Sequence, residues 1–278
     1  MTEPSLEDRL ATAASWIREA DGILIAAGAG MGVDSGLPDF RGQEGFWKAY
    51  PALKAARINF QEIANPRAFR NQPELAWGFY GHRLDLYRNT QPHEGFQIIR
   101  RWAASKPHGC RVFTSNVDGQ FQRAGFPDED VYECHGSIHW LQCSPPCRAT
   151  VIPADDLEVK VDAVTGRWVG PLPTCGRCGA LLRPAVLMFN DFLWESKLFK
   201  QKLPPLQAWL KQVQRLVVIE IGAGLEIPSV RVFAETAAAA GRLVRINLRD
   251  AEVAADNAVG IDLAALPALA FLDKRSVG

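Results

Sequence analysis

The alternation of apolar runs with amphipathic segments predicts a parallel sheet covered by helices. Residues 5–20 carry leucine, alanine and isoleucine at helical spacing, and Ser5 precedes them as an N-cap. An unbroken apolar run at residues 23–27 is typical of a strand that is buried on both faces. Further strands are predicted at residues 110–114, 130–134, 215–222 and 242–247, and further helices at residues 94–104 and 228–240. Strands that alternate with helices in this way indicate an α/β fold with a doubly wound parallel sheet.

Two parts of the chain interrupt this rhythm. Residues 137–185 are rich in Cys, Pro and Gly and have no long helical pattern, so we interpret them as a small inserted module. Residues 45–90 hold irregular and helical segments, and we expect them to pack with that module. The remaining residues, 1–44, 91–136 and 186–278, are then expected to form one discontinuous large domain.

Composition and charge narrow the class of protein. The chain has 278 residues, of which 47% are hydrophobic and 22% charged, which is typical of a globular protein with a sizeable core. Lys+Arg and Asp+Glu both number 31, so the net charge is zero and gives no support for binding to nucleic acid or a membrane surface. No apolar run suits a membrane span and no stretch resembles a signal peptide, so we expect a cytoplasmic protein. The oligomeric state stays open.

Four of the six cysteines form two close pairs, with 27 residues between them. The pairs are Cys143 with Cys147 and Cys175 with Cys178. Because disulfides are rare in the cytoplasm, two such pairs favour a tetrahedral Zn²⁺ site with four thiolate ligands. Four protein ligands leave no open coordination position, so we expect a structural metal; four thiols that are close by chance are the alternative. Cys110 and Cys134 lie in predicted strands, where core packing is expected.

A glycine-rich loop follows the first predicted strand. Residues 28–42 read GAGMGVDSGLPDFRG. Gly28 and Gly30 would let the backbone approach a phosphate, and a helix that starts there would favour the anion. The loop does not match the common dinucleotide fingerprint G-x-G-x-x-G, because Val33 stands at the third glycine position. Taken alone, the loop also fits a tight turn between a strand and a helix.

Further motifs follow this loop in a fixed order. They are TSNVDGQFQRAG at 114–125, ECHGSIHW at 133–140, the cysteine pairs, LLRPAVLMFND at 181–191, IEIGAGLEIP at 219–228 and INL at 246–248. The ordered set resembles the sirtuins, a family of NAD-dependent protein lysine deacylases of which this chain is similar to the bacterial type, and the resemblance covers nearly the whole chain. It implies a Rossmann-like large domain, a small zinc-binding domain, and NAD bound between the two.

The resemblance also implies roles for single residues. His135 would act as general base on the NAD ribose after the acyl oxygen has attacked C1′, giving free lysine, nicotinamide and 2′-O-acyl-ADP-ribose. Asn116 and Asp118 would complete the catalytic group, although Ser-Asn-Val-Asp-Gly also suits an Asx turn and a lone histidine is more often structural. The implied NAD-binding residues are Gly28, Ala29, Gly30, Asp39, Phe40, Arg41, Ser115, Asn116, Val117, Asp118, Gly222, Ala223, Gly224 and Asn247.

Five residues are candidates for binding the substrate. Val186, Met188 and Phe189 lie on the strand that is expected to pair with the substrate backbone. Tyr80 and Arg83 resemble the Tyr-x-x-Arg of the subgroup that removes negatively charged acyl groups, and residues i and i+3 share a helix face. Because a guanidinium can hold a carboxylate bidentately, we hypothesise that succinyl- or malonyl-lysine is preferred. A packed tyrosine beside an exposed arginine is the alternative.

Some positions depart from the family pattern and leave other functions open. Gly32 replaces a serine, Ser115 a glutamine and Phe121 a histidine, while Gly222-Ala223-Gly224 replaces Gly-Thr-Ser and Asn190-Asp191 replaces Gly-Glu. One alternative is a protein ADP-ribosyltransferase or NAD glycohydrolase, which the altered Ser115 favours and the retained His135 disfavours. Another is an inactive NAD or ADP-ribose sensor that binds a partner. The expected partners of the main function are acylated protein lysines.

Overall fold

The strands of the chain form two separate sheets. The computed structural model describes residues 4–39, 42–147 and 151–276. Its strands are β1 (Gly22–Ala27), β2 (Cys110–Thr114), β3 (Val131–Glu133), β4 (Gly136–Cys143), β5 (Ile152–Pro153), β6 (Leu182–Val186), β7 (Leu216–Ile221), β8 (Arg242–Ile246) and β9 (Ala258–Ile261). The large sheet has the order β3-β2-β1-β7-β8-β9, and the small sheet has the order β5-β4-β6.

Every neighbouring pair in the large sheet is parallel. The order changes direction between β1 and β7, because the chain runs outward from β1 to β3 and later outward from β7 to β9. The predicted doubly wound fold is therefore confirmed. Such a change of direction opens a crevice at the carboxyl ends of the two central strands, where ligands bind in sheets of this kind.

Helices cover both faces of the large sheet. The α-helices of the described residues are α1 (Leu6–Glu19), α2 (Gly42–Ala49), α3 (Pro51–Ala55), α4 (Phe60–Ile63), α5 (Pro66–Asn71), α6 (Pro73–Asn89), α7 (Glu94–Ala104), α8 (Gln120–Arg123), α9 (Lys197–Lys200), α10 (Leu203–Leu210), α11 (Ser229–Ala238) and α12 (Ala265–Ser276). Ser5 caps α1 as predicted, with its side chain accepting a hydrogen bond from the Asp8 amide. The predicted helices at 94–104 and 228–240 are confirmed.

The burial of β1 shows how the two layers are held. Ile23 and Ile25 pack into a hydrophobic cluster with α1, α7 and α12, while Leu24 and Ala26 pack into another with α10 and α11. Alternate side chains of one strand point to opposite faces of the sheet, so both faces bury apolar residues. This double burial explains why β1 is an unbroken apolar run.

The small sheet is antiparallel and lies within the segment that we interpreted as an inserted module. It packs against α6, where the Trp77 indole donates a hydrogen bond to the Leu182 carbonyl at 2.9 Å and its ring contacts Trp168. A third hydrophobic cluster joins residues of α2, α3, α5 and α6 to the small sheet. The inserted module is thus part of the observed fold, while the domain boundaries stay a prediction. In the described part of the chain, no helix has the length and apolar character to cross a membrane.

Candidate active site

Five strands of the large sheet deliver predicted site residues to the same edge. Gly28 follows β1, Ser115 follows β2, His135 follows β3 closely, Gly222 follows β7 and Asn247 follows β8. Because these strands are parallel, their carboxyl ends meet at one edge of the sheet. The structure therefore brings together side chains and loops that lie more than two hundred residues apart along the sequence.

The first glycine loop packs directly on the loop after β7. The Gly28 amide donates to the Ile221 carbonyl at 2.9 Å, and the Gly30 amide donates to the Gly222 carbonyl at 3.1 Å. A Cβ atom on Gly30 would lie 2.6 Å from the Gly222 Cα, which is too close for any side chain. Glycine is thus required at 30 by contact between the loops, a cause additional to the predicted approach of a phosphate. Ala29 opens the 3₁₀-helix that follows, Ala29–Ser35.

Asn247 supports the second glycine loop, residues 222–224, which follows β7. Its side chain is buried, and its Nδ2 donates to the Ala223 carbonyl at 2.7 Å. Gly222 has a left-handed backbone with φ of 63°, which favours glycine, and Gly224 is exposed at the surface of the loop. The guanidinium of Arg231 also donates to the Ala223 carbonyl, at 3.4 Å.

Asn116 links β2 to the first loop. Its Nδ2 donates to the Gly28 carbonyl at 3.0 Å, and its backbone amide donates to the Thr114 hydroxyl at 3.0 Å. The neighbouring Ser115 amide donates to the Ala27 carbonyl at 3.2 Å, and Val117 is buried. The amide side chain of Asn116 is therefore held in place by the loop that we expect to bind NAD.

Asp118 is buried within an Asx turn. Its Oδ1 accepts a hydrogen bond from the Gln120 amide at 2.9 Å. Burial raises the pKa of Asp118 to about 6, against the opposing effects of that amide and the positive charge of Arg83. The Nε2 of His139 donates to the Asp118 carbonyl at 2.9 Å, so this histidine supports the turn, a role that the sequence motifs do not show.

His135 stands between the large sheet and the small one. A Cβ atom on the next residue, Gly136, would lie 2.1 Å from the Ala185 carbonyl oxygen, and Gly136 has a φ of 78°, so only glycine fits after the histidine. The His135 Nε2 lies 3.4 Å from the Ser229 hydroxyl at the start of α11. Burial lowers the pKa of His135, which favours the neutral imidazole that can accept a proton.

A cavity of about 450 Å³ lies beside His135. Its lining includes Leu187, Trp194 and Lys200. Met188 and Phe189 do not lie on a strand as predicted, because β6 ends at Val186, which is buried and pairs with Gly136; that they contact the substrate stays a prediction. Met188 is also buried, and Phe189 packs on Phe60, so it is the exposed Leu187 that lines the cavity. The Leu187 amide still donates to the His135 carbonyl at 2.9 Å, and the chain then turns at residues 189–190.

Tyr80 and Arg83 lie on α6 and are both buried, so the alternative of an exposed arginine is wrong. The Nε and Nη2 atoms of Arg83 donate to the Tyr87 hydroxyl at 3.0 and 2.8 Å. The guanidinium carbon also lies 5.7 Å from the ring centroid of Tyr80. Burial raises the pKa of Tyr80 to about 12, so the phenol stays neutral.

The four paired cysteines have the geometry of a metal site. The Sγ atoms are separated by 3.4 Å (Cys143 to Cys147), 3.8 Å (Cys143 to Cys178) and 3.9 Å (Cys147 to Cys175). All four lie within 4.8 Å of one another. Zn–S bonds of about 2.3 Å in a tetrahedron place the sulfur atoms ~3.8 Å apart, so the residues fit Zn²⁺. Of the other two cysteines, Cys110 is buried and Cys134 half-buried, which agrees with core packing.

Phe40 and Arg41 lie outside the described residues. Asp39, which precedes them, is half-buried at the end of the first loop. A further buried acid, Glu133, lies at the end of β3 and has no predicted role; burial raises its pKa to about 8. Ser229, Leu187 and Lys200 were also missed, since no local pattern marks residues that only the tertiary fold brings to His135.

Known proteins are similar to this chain in sequence. A sequence model described as the Sir2 family matches residues 28–227. An NAD-dependent protein deacylase of Archaeoglobus fulgidus is 34% identical over 180 residues, which are 64% of this chain and 63% of that protein. A probable bifunctional ADP-ribose hydrolase/ADP-ribosyltransferase of Fusarium oxysporum is 27% identical over 82% of this chain, and the match covers 40% of that protein.

A solved structure of a Sir2 homologue has a similar fold. The solved structure of a Sir2 homolog–NAD complex is similar with a TM-score of 0.70 at 24% identity, covering 96% of this chain and 93% of that one. The family match extends over the glycine loop, the His135 segment and the four cysteines. The chain belongs to the Sir2 family.

Proposed function

We propose that this chain is an NAD-dependent protein lysine deacylase that converts acylated lysines, NAD and water into free lysines, nicotinamide and 2′-O-acyl-ADP-ribose. The observation that carries the proposal is the position of His135, which faces a cavity and lies at the sheet edge that also presents the two glycine loops. The Archaeoglobus relative, named as an NAD-dependent protein deacylase, supports the same activity.

The residues at the sheet edge suit NAD as the co-substrate. The glycine loops at 28–30 and 222–224 would lie against its diphosphate, and Asn247 would lie near its adenosine ribose. NAD supplies a ribose C1′ that is open to attack and nicotinamide as the leaving group. Asp118 would accept a hydrogen bond from the carboxamide N–H of nicotinamide.

His135 would carry the proton transfer. Its neutral imidazole would accept the proton of the ribose hydroxyl and so make that oxygen a nucleophile for the carbon of the transferred acyl group. The Ser229 hydroxyl at 3.4 Å restricts the orientation of the ring. Asn116, held by the Gly28 carbonyl, keeps β2 and the first loop in register beside the reacting ribose.

The four cysteines would hold one structural Zn²⁺. Four thiolates fill the tetrahedral shell, so the metal would cross-link the small sheet to the segment at 175–178 and would take no part in the proton transfer. A module with so short a sheet gains much of its stability from such a metal.

Product identity tests the proposal. Purified protein is incubated with NAD and an acetyl-lysine, a succinyl-lysine or a malonyl-lysine peptide, and all products are followed by mass spectrometry. We expect free lysine peptide together with nicotinamide and O-acyl-ADP-ribose. His135→Ala removes the proposed base, so this variant should give no deacylated product while it still binds NAD.

We also propose a preference for acidic acyl groups. Support comes from Arg83 and Tyr80, a buried cation and a neutral phenol on one helix, which suit a dicarboxylic acyl tail. Arg83→Met should lower kcat/KM for the succinyl peptide by roughly tenfold or more and leave the acetyl peptide nearly unchanged. Equal effects on both peptides would contradict the proposed preference for acidic acyl groups.

A second candidate is protein ADP-ribosyl transfer. The name of the Fusarium relative includes ADP-ribosyltransferase, and Ser115 stands where the deacylase pattern has a glutamine. ADP-ribose found on protein, with the acyl-lysine intact, would assign this activity instead.

A further inference from the structure

The cavity beside His135 has one uncompensated charge. Asp191 lines it, but both carboxylate oxygens of Asp191 lie within 2.9 Å of the Arg183 guanidinium, and both side chains are buried. Lys200 also lines the cavity, is exposed, and forms no salt bridge with a carboxylate of the described residues. With His135 neutral, the cavity therefore carries a net positive charge.

Large apolar side chains are exposed in the two chain segments that supply lining residues of the cavity. Phe192 is 93% exposed, and Leu187 and Leu193 are exposed beside it. On the segment that leads to Ser229, Leu225 and Ile227 are exposed as well. Exposed apolar residues that cluster around a cleft mark an interaction surface, and their two chain segments flank the cavity that ends at His135. These segments offer an apolar surface to a polypeptide that presents a lysine to His135.

We propose that Lys200 pairs with an acidic side chain next to the acyl-lysine, so that this cavity selects protein substrates whose modified lysine has Asp or Glu beside it. This inference rests on the proposed deacylase function and names its substrate class. The apolar rim holds the polypeptide, and the ammonium distinguishes between polypeptides by charge.

The position of Lys200 favours the flanking residue over the acyl group as its partner. Lys200 is exposed on α9, whereas His135, the base for the proposed reaction at the acyl carbon, is half-buried. Arg83, the residue proposed to hold an acidic acyl tail, is buried on α6 and does not line this cavity. The two cations thus serve two different carboxylates.

A matrix of four peptides tests the inference. The peptides carry acetyl-lysine or succinyl-lysine, flanked on both sides by Glu or by Arg, and kcat/KM is measured for wild type, Lys200→Glu and the control Lys197→Glu. Lys197 is exposed on the same short helix and makes the same change in net charge, but it does not line the cavity. We expect wild type to prefer the Glu-flanked peptides by about fivefold with both acyl groups, Lys200→Glu to reverse that preference, and Lys197→Glu to retain it.

Three results would overturn the inference. If wild type and Lys200→Glu show the same preference for the flanking residue, Lys200 does not pair with an acidic side chain of the peptide. An equal loss in Lys197→Glu would show a general effect of net charge. A change in the succinyl-to-acetyl ratio without a change in the flank ratio would place the acyl carboxylate on Lys200. If no peptide is turned over, the function fails separately, and peptide affinities measured by fluorescence anisotropy with NAD present still give the flank preference of each variant.

Discussion

Burial sets the protonation states of the ionisable side chains nearest the proposed chemistry. His135 has a lowered pKa, while the pKa of Asp118 is raised to about 6 and that of Glu133 to about 8. In each case desolvation of the charged form is the largest cause. Near neutral pH the site therefore holds a neutral base, an ionised Asp118 and a protonated Glu133.

The pKa of Asp118 predicts how NAD binding depends on pH. As pH falls through about 6, Asp118 gains a proton and loses its capacity as a charged acceptor for the carboxamide. We expect the KM for NAD to rise below pH 6; kcat should fall at a pH below the usual range of a histidine, because burial lowers the pKa of His135. Steady-state kinetics between pH 5 and pH 8 measure both; Asp118→Asn should raise the KM and remove its dependence on pH. A KM that stays constant in wild type would contradict the role of Asp118.

Glu133 predicts a loss of stability at high pH. Its folded-state pKa is raised from 4.5 to about 8, so stability falls as pH rises above 4.5 and the fall is complete once the pH has passed through about 8. We expect the free energy of unfolding to fall by about 1 kcal/mol between pH 7 and pH 9 on this account. Glu133→Gln keeps the shape of the neutral acid, so denaturant titrations of that variant should lack this part of the fall. Parallel curves for the two proteins would refute it.

Strands that are buried on both faces could be predicted from the sequence, whereas a short strand, one helix and the end of another strand could not. The strands β1, β2, β7 and β8 are rich in apolar residues because helices cover both faces of the sheet. The strand β9 and the helix α12 were missed: β9 has only four residues and contains a glycine, and α12 contains Pro267 in its first turn. The end of β6 at Val186 was also missed, since it depends on pairing with β4 rather than on local sequence.

Contact between the two glycine loops makes Gly30 essential to the carboxyl edge of the sheet. A Cβ atom there would lie 2.6 Å from the Gly222 Cα, so Gly30→Ala must push the loops apart. We expect it to lower the free energy of unfolding by roughly 1–3 kcal/mol and to weaken NAD binding at least tenfold. Gly224→Ala is the matched control for the change in stability, because a Cβ atom at 224 meets no protein atom within 4 Å. Calorimetry without and with NAD measures stability and binding, and equal stability of the two variants would contradict the loop contact.

The small sheet depends on the cysteine cluster. We expect one Zn²⁺ per chain by elemental analysis, and Cys175→Ser should reduce this content. Hydrogen exchange should then speed up in β4 and β6 while β1 and β7 stay protected, because the large sheet has its own core. Cys110→Ala, at a buried cysteine outside the cluster, should keep the metal. Full zinc content in Cys175→Ser would show that the metal lies elsewhere.

The whole molecule combines a sheet edge that suits NAD with a cavity that suits a polypeptide. The ordered motifs predicted the first, because each strand end carries its own recognisable residues. They did not predict the second, because Ser229, Leu187 and Lys200 come from segments that meet only in the folded chain. His135 lies where the two parts meet, so the account requires that NAD cleavage and deacylation occur together.

The most direct test of that coupling is the ratio of nicotinamide released to lysine peptide deacylated, measured with and without the acyl peptide. The account predicts one nicotinamide for each deacylated lysine and no release above the spontaneous rate when the peptide is left out. Nicotinamide released freely without the peptide, or in large excess over free lysine, would contradict it and would assign NAD hydrolysis or ADP-ribosyl transfer to this chain.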